Sequence, residues 1–229
     1  MRVINQDWMQ RLAALGLAVG LTVGFVSVGI AQSVGGQAYG AYANTPTGSL
    51  GQSPLAVLPS VSGTDGDVAW GEADAENVSG VLTSSFLNTI TSGALGSAES
   101  GAQSVATLGS TSLLNGLIQA TGITAMSTSS LTSSGATSNA NGSTLENLVV
   151  NGVQVTSGDG TVAPNTNIAL PGVGYVVLNE QIPTGDGVTS GGITVNMIHV
   201  YLQSAGGLLG EATTTGEIIV GSASSSAGP

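Results

Sequence analysis

The chain has 229 residues, 41% hydrophobic but only 3% aromatic and 7% charged, with 36 glycines and a formal net charge of −11. Both cations, Arg2 and Arg11, lie at the extreme N-terminus, so the rest of the chain cannot neutralise phosphates; nucleic-acid binding and electrostatic attachment to anionic lipid are excluded. Without cysteine or lysine, disulfides, Schiff bases and lysine crosslinks are excluded as well.

Residues 1–31 read as a secretory signal. Arg2 and Arg11 mark a positive start, Leu12 to Ile30 carries no charge, and Gly29-Ile30-Ala31 is a small-x-small cleavage site. A hydrophobic signal helix is expected here, with the mature chain starting near Gln32. The run is also long enough to span a bilayer, which needs about 20 residues; left uncleaved, it would be the chain's contact with a membrane. In both cases the positive end stays inside and everything after residue 31 lies outside, secreted or at the cell surface.

Residues 32–64 are expected to form an N-terminal extension. Its two short strands are Ala38-Tyr39-Gly40-Ala41-Tyr42-Ala43 and Leu55-Ala56-Val57-Leu58, split by the Pro/Gly-rich stretch Thr45–Pro54. The main domain is expected over residues 65–225, followed by a short tail, 226–229. Asp65, Asp67, Glu72, Asp74 and Glu76 crowd one stretch that reads as a solvated loop. Val78–Gly109 mixes aliphatic with small hydroxyl residues and is read as strand. Ser127–Asn141 is low-complexity Ser/Thr/Gly/Asn, the composition of a linker or of a strand with a hydroxyl face. Leu145–Val155 reads strand, turn, strand around Asn151-Gly152, because both central residues of a type I′ turn need positive φ. Further strands are expected at Tyr175–Leu178, Ile193–Leu202 and Glu217–Val220. Short strands between turn signals point to an all-β, antiparallel β-sandwich, jelly-roll-like.

Three segments together resemble a known family. They are Leu145-Glu146-Asn147-Leu148-Val149-Val150-Asn151-Gly152, then Pro164 to Gln181 with Leu170-Pro171-Gly172-Val173-Gly174-Tyr175 at its centre, then Ile193-Thr194-Val195-Asn196-Met197-Ile198-His199-Val200. This pattern resembles the bacterial choice-of-anchor P surface proteins over roughly residues 112–225. The resemblance implies a secreted β-rich domain with a C-terminal anchoring signal. The chain departs from that pattern at its end, where Ser226-Ala227-Gly228-Pro229 carries neither a hydrophobic tail nor a basic cluster. The resemblance supplies no catalytic residues.

Candidate chemistry centres on His199, the one histidine. Strict strand alternation puts it on a face with Ile193, Val195, Met197 and Tyr201, where it reads as a core histidine satisfied by a carbonyl or carboxylate. The sharper expectation pairs it with Glu180 as a buried hydrogen-bonded couple. No Gly-x-Ser-x-Gly nucleophile elbow is present, and a lone histidine without cysteine does not make a structural zinc site. No cofactor is implied. Calcium is the one ion the hard oxygens of Asp65, Asp67, Asp159 and Asp186 would suit, although Asp-Gly is also ordinary turn composition.

These readings describe a secreted structural or adhesive cell-surface protein and not an enzyme. Its expected partners are other copies of itself or cell-envelope components. One route to assembly is head-to-tail strand addition, with Ala38–Ala43 donated to a neighbour's sheet edge to build a filament or layer. The alternative is a monomeric carbohydrate- or matrix-binding sandwich with Trp70 as its stacking platform, and a hydrolase is the third reading.

Overall fold

The computed structural model describes residues 32–59, 61, 63–64, 66–158, 160–204 and 212–229; the expected signal helix lies outside them. Regular structure among the described residues is all strand. The strands are β1 (Ser33–Thr45), β2 (Gly48–Val57), β3 (Asp67–Val78), β4 (Leu82–Ala94), β5 (Glu99–Leu113), β6 (Ile118–Thr132), β7 (Gly135–Asn139), β8 (Thr144–Val150), β9 (Val153–Gln154), β10 (Thr166–Leu170), β11 (Gly174–Gly185), β12 (Gly191–Ser204) and β13 (Thr213–Gly228). They form two antiparallel sheets. The first has the order β10-β11-β12-β13-β1-β2; the second has β3-β4-β5-β6-β8-β9, with β7 paired to β6.

Short turns dictate this order. Asn151 and Gly152 both hold positive φ, 50° and 74°, as the hairpin between β8 and β9 requires. Most neighbours in each sheet are also neighbours in sequence, so each sheet is largely a meander. A jelly-roll needs crossed Greek-key connections, and that part of the expected fold is corrected here: most strands joined by a short turn are paired with each other.

Three further expectations change. The acidic stretch is not a loop from Asp67 onward; it is β3, an edge strand whose Glu72 and Asp74 face solvent. Loop-like composition here serves a strand, because charge on an unpaired edge discourages pairing with other chains. Residues 32–64 are no extension: β1 runs inside the first sheet, bonded to β13 on one side and β2 on the other. Ala38–Ala43 therefore presents no free strand for donation in this structure. Residues 226–228 are likewise no tail, since Ser226, Ala227 and Gly228 pair with Gly35, Val34 and Ser33. The body enters at β1 and leaves at β13 side by side.

One apolar cluster joins the two sheets, drawing Ile198, Val200, Ile218 and Val220 from the first and Leu82, Leu113, Ile118 and Leu148 from the second. Midway along the strands both sheets are creased. On β6, Ile118 and Ala120 are buried, then Ile123, Ala125, Ser127 and Ser129. The inward parity thus reverses at Gly122, whose φ is 59°. Reversals fall in one row across the second sheet, at Phe86, Gly109 and Gly122, and in another across the first, at Asn179, Met197, Gly221 and Gly40. Phe86, Asn179 and Gly221 hold φ of 54°, 47° and 66°. A left-handed residue inside a strand swaps the face its successors occupy. The creases meet: a Cβ on Gly221 would lie 3.0 Å from Ile123 Cγ2.

Beyond Leu87, Leu108 and Ile123 the facing side chains shrink. Thr91 bonds Ser104 at 2.8 Å within the second sheet, and Ser129 bonds Ser225 across to the first at 2.8 Å. A Cβ on Gly36 would collide with Thr91 Oγ1. This half of the interface is rich in Gly, Ala, Ser and Thr beside Ile193, Val195 and Leu131, so paired hydroxyls add to its apolar burial. The low-complexity run Ser127–Asn141 is thus partly core. Ser127 Oγ is buried without a partner.

Candidate functional site

The crease assembles a dense polar cluster on the outer face of the first sheet. Under strict alternation Asn196 and His199, three residues apart, would face opposite ways. The reversal at Met197 puts both on the outer face and leaves Ile193, Val195 and Met197 in the core. The expected grouping of His199 with Ile193, Val195 and Met197 is therefore corrected; Tyr201 alone of that set shares its side.

The structure brings Glu180 and His199 together. His199 Nδ1 lies 2.7 Å from Glu180 Oε2, and the two side chains are only 7% and 12% exposed. The other ring nitrogen, Nε2, lies 3.2 Å from Glu217 Oε2. The ring thus lies between two carboxylates. Asn196 Nδ2 donates to Glu180 Oε2 at 2.7 Å and the Tyr201 hydroxyl donates to Oε1 at 2.9 Å. Ser222 donates to Asn196 Oδ1 at 2.7 Å, extending the network toward β1. Tyr201 stacks on His199, with centroids 3.9 Å apart, and on Tyr175 at 4.7 Å.

Electrostatics follow from this packing. Burial pushes the Glu180 carboxyl up, but bonds from His199, Asn196 and Tyr201 outweigh it and hold the group at about 2. Burial and the Glu180 carboxylate raise the Tyr201 phenol. Burial also raises Tyr39, partly offset by hydrogen bonding with Ser222 and Gln52. Both Glu180 oxygens and both His199 nitrogens thus have partners inside the cluster, and neither ring nitrogen faces a serine. The arrangement is a brace across β11, β12 and β13.

Of the calcium candidates, Asp65 and Asp159 lie outside the described residues. Asp186 turns its carboxylate inward on its own loop. Oδ1 accepts from the backbone N–H of Val188, Thr189 and Ser190, and Oδ2 accepts from the Thr189 hydroxyl. Those bonds, led by Ser190, hold its carboxyl well below the usual range. It closes the turn between β11 and β12. Asp67 opens β3, and among the described residues no three His, Cys, Asp or Glu side chains are placed to hold a metal.

Sequence reading missed Asn196, Glu217, Tyr175 and Ser222. The available signal was Asn179 on β11 and Gly221 on β13, residues that tolerate positive φ, at corresponding points on either side of β12. Trp70 sits far from this cluster in the fold, on β3 of the other sheet, with 64% of its surface exposed.

Compared with known proteins, the chain matches no family model, no curated protein and no solved structure.

Proposed function

We propose that this chain is an exported β-sandwich acting outside the cytoplasm as a non-catalytic structural or adhesive surface module. The observation that carries this is the saturation of the Glu180–His199 cluster. Its chemically capable groups are bonded to one another, which stiffens a sheet and leaves no nucleophile beside the histidine. The N-terminal run behind Arg2 and Arg11 supports export, and the absence of cations from the body argues against nucleic-acid and anionic-membrane partners. The resemblance to the choice-of-anchor P family supports the same reading; its three segments form β8 with its turn, β10–β11, and β12.

Self-association is the mechanism we favour for the structural role. β1 is paired on both sides, so donation of that strand requires its withdrawal from its own sheet. Among the described residues the edge strands are β10 and β2 in the first sheet and β3, β7 and β9 in the second. The test joins cell fractionation to negative-stain microscopy. Protease added to intact cells should remove the protein, and the purified mature body should form fibres or layers. Recovery in the cytosolic fraction overturns export; single particles at every concentration overturn assembly.

A further inference from the structure

The outer face of the second sheet carries a feature that neither core packing nor the polar cluster uses. Trp70 on β3 pairs with Ile90 on β4, Ile90 with Val105 on β5, and Val105 with Met126 on β6. All four point outward, with Trp70 64% and Ile90 42% exposed. The next outward row is polar: Glu72, Asn88, Thr107 and Thr124 are paired in the same order. Beyond it lies Phe86, 69% exposed, its ring over Gly109. Two exposed aromatics thus flank a polar row, about 13 Å apart by the rise of an extended strand.

Phe86 is the unusual member. A non-glycine residue at φ 54° is strained, and an aromatic one markedly so. The backbone is left-handed there, and Gly122 on β6 holds the same conformation without strain. The ring covers Gly109 with one side and leaves 69% of the residue's surface in water. Strain of this kind clusters where a ligand is met.

Charge narrows the ligand. The net charge is −11, Glu72 is the one ionisable group in the two rows, and no cation follows Arg11. Polyanions are repelled. A second copy of the same face would set Glu72 and Asp74 of both chains against one another. A flat aromatic ring, a carboxylate, an amide and threonine hydroxyls together suit the apolar faces and hydroxyl edges of sugar rings.

We propose that the outer face of the second sheet, between Trp70 and Phe86, binds an uncharged polysaccharide. Its rings stack on the two aromatics, and its hydroxyls bond Asn88, Thr107 and Glu72. This names a ligand for the surface module proposed above and rests on that reading only for where the polysaccharide is met. The full chain is tested by affinity electrophoresis through gels containing soluble cellulose, xylan, chitin, starch or mannan derivatives, with alginate as the polyanion. At least one neutral chain should retard it and alginate should not. Trp70→Ala and Asn88→Ala should each weaken retardation about tenfold. Phe86→Gly removes the ring and relieves the backbone, so it should lose binding while its melting temperature holds or rises. No retardation by any neutral chain overturns the proposal, as does retardation unchanged in Trp70→Ala and Phe86→Gly. Loss of self-association in those variants with sugar binding intact assigns the face to a second copy and overturns it too. Export is read separately by protease treatment of cells, so failure there leaves the binding result standing.

Discussion

Replacing Glu180 by glutamine isolates what the outer cluster contributes to stability. The native carboxyl titrates at about 2 against an ordinary 4.5, so the folded state binds its proton more weakly than the unfolded chain does. The stabilisation is therefore complete above about pH 4.5 and is lost as the pH falls from there through 2. That difference has a ceiling of about 3 kcal/mol. Glu180 is 12% exposed and its neighbour Glu217 is 37% exposed, and solvent screening on that side reduces the figure to about 2 kcal/mol. Glutamine keeps the shape but offers one acceptor oxygen to three donors and sets an amide N–H against Asn196 or Tyr201. Urea unfolding followed by circular dichroism at about pH 7 should show Glu180→Gln less stable by about 2 kcal/mol. The gap should narrow as the pH falls toward 2 and close below it, where the wild-type carboxyl is protonated in the folded state too. A variant as stable as wild type at pH 7, with the same pH dependence, would refute the assignment of Glu180 as the centre of the brace.

Other perturbations probe the creases and the hydroxyl half of the core. Gly221→Ala should lower stability by about 2 kcal/mol in thermal melts, from left-handed strain and the push on Ile123, 3.0 Å from the new Cβ. Ser127→Ala should be neutral or slightly stabilising, since its hydroxyl is buried without a partner, whereas Ser225→Ala should cost about 1 kcal/mol by removing the hydroxyl pair, while Ser129 keeps its bond to the Ser225 carbonyl. Excess chelator should leave the melting temperature unchanged, because Asp186 already spends its acceptors on its own turn.

Turn chemistry made much of the strand order legible. Asn151-Gly152 announced its hairpin because few residue pairs accept two positive φ values in a row. Strand existence was legible at β11, β12 and β13 because their aliphatic runs are bounded by glycine. The acidic stretch misled because an edge strand and a loop share a composition when both are solvated, and only the pairing of Trp70 with Ile90 separates them. The place of β1 was hidden for a different reason. Its inward residues are Ala38, Ala41 and Ala43, too small to announce a core strand, and its partner β13 lies almost the whole chain away. For the outer cluster, Glu180 and His199 stood out as a carboxylate and the lone imidazole among aliphatic residues. Asn196 did not, because period-two counting fails where a crease resets it.

Those opposed creases answer a mechanical question about the molecule. Two sheets faced with small, similar side chains have little to stop one gliding or rotating over the other, since many alignments would pack nearly as well. A fold line nested in a fold line has one seat. Ile123 against Gly221, and Leu87 against Gly40, behave as keys in keyways, so alignment is set by backbone shape where bulky aromatic wedges are lacking. Broadening either groove with a side chain should therefore blur the relative placement of the layers before it melts either one.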